Sequence, residues 1–340
     1  MTGCGALETL IKHDLPERLD PMMAKELRQS LRRSGFVLPF LAIQFFALVA
    51  MVSEFRNGHT AADSGFAGVL NPWLVASSGP FWIVVAVVCM VLMPLGGLVL
   101  MGQELEEGNH ELLLLTKLNR WKVVVGKFIT LWGLSVVTFV SLLPYMVVRY
   151  LVGGIEWWHE AACAGTVLGG SAMIGAGAIG ASAFRGVGAR IAVMFLFLLS
   201  MMGGCAVPLA AAAARTDGFG ILYFINALSA VACFTIIGLA LARSRLRLAV
   251  MAYEVKPGGM LIGLLVFAPF VIGMITAFTI GYGGFVGLAL TALVAARMDL
   301  TPKAMPSHQP VDALGRRGPI RNAFVNAAQT ADAPDGGTSQ

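Results

Sequence analysis

Residues 80–102 read PFWIVVAVVCMVLMPLGGLVLMG, without one Asp, Glu, Lys, Arg or His. At about 1.5 Å per residue, a helix through this stretch covers the roughly 30 Å hydrocarbon core of a bilayer. The stretch predicts a membrane-spanning helix, and seven more follow by the same test: 35–53, 128–148, 161–184, 191–212, 221–242, 259–277 and 279–296. None of them contains an ionisable Asp, Glu, Lys, Arg or His. A charge at the centre of a spanning helix costs about 2.5–3.5 kcal/mol on insertion scales, so the exclusion is what lipid demands. The last two share one apolar tract, split only by Gly281, Gly283 and Gly284, and read as either a tight hairpin or a re-entrant pair. Composition agrees. The 340 residues are 57% apolar and 13% charged, with a mean hydropathy of +0.78, against about 45–50% and about 25% in soluble domains. The expected fold is all-α, a polytopic transmembrane bundle of about eight spans.

Lys and Arg set the expected orientation. With the N-terminus inside, 21 of the 24 fall on the cytoplasmic side, and only Arg56, Arg149 and Arg215 face out. That bias predicts both termini in the cytoplasm, with 54–79, 149–160 and 213–220 outside. Three regions follow: a cytoplasmic N-terminus at 1–34, a membrane domain at 35–296, and a tail at 297–340. The tail is rich in Ala, Pro, Gly and Arg without a period and is expected to be disordered. The N-terminus MTGCGALETLIKHD lacks an apolar core and cleavage site, so no cleaved signal peptide is expected. Cys4, Cys89, Cys163, Cys205 and Cys233 form no C-x-x-C pair, which argues against a disulfide framework or a metal site. A phosphate-binding G-x-x-x-x-G-K-[ST] loop is absent, and Gly126-Lys127-Phe128 lacks both the upstream Gly and the hydroxyl. Any ATP used must be bound by another chain.

Several local patterns carry information. In 20–34, DPMMAKELRQSLRRS, Asp20 can cap a helix starting at Pro21. Leu19, Met23, Leu27 and Leu31 recur every fourth residue, with Lys25, Arg28, Arg32 and Arg33 on the other side. This predicts an amphipathic helix lying in the membrane interface. In 103–127, QELEEGNHELLLLTKLNRWKVVVGK, acidic residues precede a break at Gly108-Asn109, four leucines, and a second break at Asn119-Arg120. Leu112–Leu115 are too apolar for a solvated turn and need either a partner surface or the bundle core. Gly165 and Gly169 form a G-x-x-x-G, and Ala176 and Gly180 repeat the spacing, which suits close helix packing within the chain or between two copies. Pro39, Pro94, Pro144 and Pro208 are expected to kink or end helices. Glu156-Trp157-Trp158-His159-Glu160 is the one local constellation suggestive of chemistry, although tryptophans at a span boundary ordinarily anchor the interface.

The chain resembles the membrane subunits of ABC transporters, specifically ABC-2 (type V exporter-like) permeases. Two places carry the resemblance. Pro21-Met22-Met23-Ala24-Lys25-Glu26-Leu27-Arg28, followed by Arg32-Arg33, is similar to the family's elbow helix. Glu106-Glu107-Gly108 through Glu111-Leu112-Leu113, then Leu114-Leu115-Thr116, Asn119-Arg120-Trp121 and Gly126-Lys127, resembles the family's stretch between spans two and three. Lys117 stands where a proline is common, Asn109 where a threonine is common, and two further spans follow residue 243. The resemblance covers roughly 1–245. It implies an elbow helix including Lys25, Glu26, Leu27, Arg28, Leu31 and Arg32. It also implies a short cytoplasmic coupling helix whose ATPase contacts include Glu104, Glu107, Glu111, Leu112, Leu113, Lys117 and Arg120.

The expected function is therefore a permease subunit that forms a translocation pathway in the bacterial inner membrane. Its expected partners are a separate ATPase subunit, a second permease subunit (identical or different) and membrane lipid, with no nucleic acid. No cofactor is expected on the chain itself, ATP being used by the partner, and no catalytic or metal residue is assigned. The alternatives are an ion-coupled secondary transporter, which usually needs ionisable groups inside its spans, and a non-transporting scaffold. An intramembrane enzyme is a further rival, but His13, His59, His110, His159 and His308 lie in different connections without an H-E-x-x-H.

Overall fold

The computed structural model describes residues 34–57, 68–98, 120–153, 157–184, 186–215, 220–250 and 260–298, and their regular structure is helical throughout. The helices are α1 (Ser34–Asn57), α2 (Pro72–Ser77), α3 (Pro80–Leu98), α4 (Arg120–Gly153), α5 (Trp157–Ser182), α6 (Val187–Arg215), α7 (Ile221–Val250), α8 (Met260–Phe278) and α9 (Gly284–Arg297). Helices are the form open to such a sequence, because each N–H and C=O can be satisfied within its own segment where no water is present.

Six of them, α3 to α8, are long and apolar enough to cross a membrane, which makes the chain a multi-pass membrane protein. The expected eight spans are met only in part. Helix α1 ends in Glu54-Phe55-Arg56-Asn57 and is not among the six. Helix α9 has 14 residues, a length of about 21 Å, which is shorter than the hydrocarbon core. Helices α8 and α9 form a tight hairpin. Ile280 and Gly281 take φ of 55° and 89°, and the Gly281 N–H donates to the Thr276 carbonyl at 2.8 Å.

Helix α5 is the centre of the bundle. Of its apolar window 72% is buried, against 28–56% for the other five candidate spans. It packs on α3, α4, α6 and α7. Its small residues permit this. A methyl group on Gly180 would lie 2.7 Å from the Gly238 carbonyl oxygen, and one on Gly238 would lie 2.6 Å from the Ala176 backbone. The α5–α7 crossing is thus backbone against backbone. Gly165 and Gly169 face Val69 and Val231 of the same chain.

The prolines do not end helices. Pro39, Pro144 and Pro208 lie within α1, α4 and α6, as Pro269 does within α8. Pro94 follows a π-helical turn at Val87–Leu92, where the Met93 N–H donates to the Val88 carbonyl. A proline ring crowds the carbonyl four residues earlier, here that of Met90. The widened turn absorbs that conflict, and α3 runs on to Leu98. The elbow segment, the segment 99–119 and the tail beyond 298 lie outside the described residues.

Candidate functional site

The chemistry of the described bundle gathers at one end, where the last turns of α1 and α4 meet the first turn of α5 and the segment 68–79. Arg149, near the end of α4, is 1% exposed. Its Nε donates to Glu54 Oε1 at 3.0 Å, and its terminal nitrogens donate to Glu54 Oε1 and Glu160 Oε1, each at 2.5 Å. A further bond runs from Arg149 to the Ser78 carbonyl, and the Phe81 ring centroid lies 5.7 Å from its Cζ. Glu160 also accepts from the indole N–H of Trp82, at 3.2 and 3.3 Å to its two oxygens. One guanidinium thus ties three helices and a turn, using the planar fork that lysine lacks.

Backbone shape makes room for this. Gly79 has a φ of 106°, and a methyl group on it would fall 2.8 Å from Glu54 Oε1. The Glu54 carboxylate therefore occupies the space that any other residue at 79 would fill. Pro80 then opens α3, where the missing proline N–H costs nothing.

Beside the ion pairs lies a second trio, Ser78, His159 and Cys163. Ser78 Oγ is 2.8 Å from His159 Nε2 and 3.1 Å from Cys163 Sγ. It also donates to the Leu74 carbonyl. The hydroxyl thus sits among a backbone carbonyl, an imidazole and a thiol. The contact has the spacing of a nucleophile and its base, yet the Ser78 proton points to a backbone carbonyl and all three residues are buried. Among the described residues no group of three His, Cys, Asp or Glu could hold a metal ion.

Below the cluster a cavity of about 420 Å³ opens between the 68–79 segment, α3, α5 and α6. Its walls include Val75, Met90, Met173, Met201 and Cys205. Thr166 also lines it, but its hydroxyl is engaged, donating to Ala162 and accepting from Leu70 N–H. The widened turn of α3 supplies Val87, Met90 and Val91 to the wall.

Of the residues expected to be functional, Gly165, Gly169 and Gly180 lie on α5 in contacts within the chain. Arg120 begins α4. Lys25, Glu26, Leu27, Arg28, Leu31 and Arg32, with Glu104, Glu107, Glu111, Leu112, Leu113 and Lys117, lie outside the described residues. The 156–160 motif divides by face. Trp157 and Trp158 are exposed, as interface anchors are, while His159 and Glu160 are buried in the cluster. Sequence reasoning placed Glu54, Arg149 and Glu160 in the connections between spans, whereas in the structure all three lie within helices and are buried. A signal was present. Each is the first residue beyond a charge-free stretch, with both signs represented, and the expected orientation puts all three on one side. No family model, curated protein or solved structure matches this chain.

Proposed function

We propose that the chain is the membrane-spanning permease subunit of an ABC transporter of the ABC-2 kind, working with a separate ATPase subunit and a second permease subunit. The reading includes eight spans, with α1 and α9 completing the set, and both termini in the cytoplasm. The observation that carries transport over a scaffold role is the half-enclosed cavity between α3, α5 and α6. A bundle that served only as a scaffold has no need of such a space, and its methionine side chains adapt readily to different contents. Coupling to an ATPase rests on the order of elbow, span, span and leucine-centred segment in the sequence.

The test is association. Leu113→Asp would force a charge into the groove that the leucines are proposed to fill. It should abolish pull-down of the cognate ATPase while leaving the bundle folded, since residue 113 lies in a connection. Normal binding and normal stimulation of ATPase turnover by that variant would return the leucines to the bundle.

One observation favours a second reading, an ion-coupled secondary transporter. Buried Glu54, Arg149 and Glu160 are the kind of ionisable groups that such proteins use. Purification in mild detergent separates the two. A stoichiometric ATPase chain supports the first, and solute flux driven by an imposed pH gradient in vesicles holding this chain alone supports the second.

A further inference from the structure

We propose that the cavity between α3, α5 and α6 binds one acyl chain of a membrane phospholipid, entered sideways from the bilayer. The proposal rests on reading this cavity as the ligand site of the permease, and it gives that ligand a chemical class.

The argument begins with depth. Trp157 and Trp158, at the start of α5, are 58% and 73% exposed, and tryptophans so placed sit at the membrane interface. On α5 the cavity is lined from Thr166 to Ile174, about 12–24 Å below Trp158 along the axis. That depth lies within a hydrocarbon layer about 30 Å thick. The opening faces the same layer. Helices α3 and α6 each pack on α5 but share no extended seam with each other. Val87 and Val91 of α3, with Met202 and Ala206 of α6, line the cavity and are exposed. The space is therefore continuous with the apolar outer surface of the bundle.

The end toward the charged cluster is closed by the 68–79 segment. There the Leu70 N–H donates to Thr166 Oγ1 at 2.9 Å, and the Val69 carbonyl accepts from the Tyr223 hydroxyl at 2.7 Å. These bonds hold Leu70 at a φ of 67°, a conformation rare for leucine.

Chemistry then selects the ligand. Among the lining residues Thr166 has the one hydroxyl, engaged as donor and acceptor, and no lining side chain is charged. Water in the cavity would lack the about two to four polar partners it needs. An empty cavity would forfeit the dispersion contacts of its walls. A flexible hydrocarbon chain supplies those contacts and is already present at the opening. The volume of about 420 Å³ falls within the roughly 300–1,000 Å³ of ligand pockets. Met90, Met173 and Met201 line it, and methionine adapts to irregular apolar shapes. At this depth the distal part of the chain enters, while the headgroup stays at the interface.

Photolabelling of the full chain in phospholipid nanodiscs tests this, with adducts mapped by peptide mass spectrometry. One probe is a phospholipid with a diazirine near the end of an acyl chain; a second carries it beside the glycerol. The chain-end probe should label Met90, Met173 and Met201 several-fold more than Phe267 and Phe270, which are exposed on the outer face of α8. The glycerol-side probe should not label the three methionines. Ala206→Trp fills the opening and should remove the cavity adducts while leaving those on α8. If that variant does not fold, Val91→Trp on the facing helix decides the matter. Equal labelling of cavity and α8, labelling of the methionines by the glycerol-side probe, or cavity adducts unchanged in a folded tryptophan variant overturns the proposal. The labelling uses this chain alone, so its failure leaves ATPase association standing, and failure of the ATPase pull-down leaves the acyl site standing.

Discussion

Arg149 shows what one residue can hold. Its guanidinium has partners on α1, on α5 and on the turn before α3, so no other side chain of the cluster touches as many elements. Removing one member of a buried ion network strands the others, at a cost of about 3–5 kcal/mol. Arg149→Met should therefore lower unfolding stability in detergent by about that amount, and Arg149→Lys should recover little of it, because an ammonium cannot span two carboxylates and a carbonyl in one plane. Full recovery by lysine would mean that charge alone matters at 149. Gly79 makes the complementary case. Gly79→Ala must hold a side chain at a φ of 106° and push its methyl group into the Glu54 carboxylate. The backbone term alone is about 1–3 kcal/mol, and thermal unfolding of the purified variant measures it.

At the scale of elements, α5 is defined by what it leaves out. Lipid tails are as apolar as leucine, so helices in a bilayer associate through close packing rather than through exclusion from water. Gly180 and Gly238 let α5 and α7 touch along their backbones. Gly180→Ala sets a methyl group against a carbonyl oxygen at 2.7 Å, where nothing flexible can yield, and should cost about 1–3 kcal/mol. Gly165→Ala meets only a Val69 methyl at 3.3 Å, an atom that can turn aside. A markedly smaller loss at 165 than at 180, in parallel melts of the two variants, checks that packing assignment. Helix α3 answers a different pressure. Its π-helical turn ahead of Pro94 both keeps the helix continuous and aims Val87, Met90 and Val91 at the cavity.

For the whole molecule, α5 contributes to both of the large buried clusters. One gathers α1, the 68–98 region, α4 and the start of α5, and contains the cluster's neighbours Phe81, Trp82 and Cys163. The other gathers α5 to α9 around Phe197 and Phe234. Helix α4 also packs on α7 through Val124, Leu131, Leu239 and Ala242, and the Tyr223 hydroxyl donates to the Val69 carbonyl at 2.7 Å, so the two halves are tied at several points. The proposed orientation has a direct check. Single cysteines at Ser64 and Ser307, in an otherwise cysteine-free chain, should react with an impermeant maleimide from opposite faces of the membrane. Reaction of both from one face would invert the scheme.

Composition and the period of charge were enough to determine an all-helical, multi-pass protein and the approximate position of its helices. A charge-free stretch of twenty residues has few other stable forms in lipid. Helix α9 and the site itself were decided only by tertiary structure. The 279–296 stretch is apolar throughout, but the hairpin at Ile280 and Gly281 uses up its first turn and leaves 14 helical residues. Glu54, Arg149 and Glu160 each read as an ordinary flank, because hydropathy scores a charge by its neighbours in the chain. They are separated by as many as 106 positions and become one site only when α1, α4 and α5 end at the same level. Opposite charges that meet there can be buried together, where any one of them alone would have to stay in water.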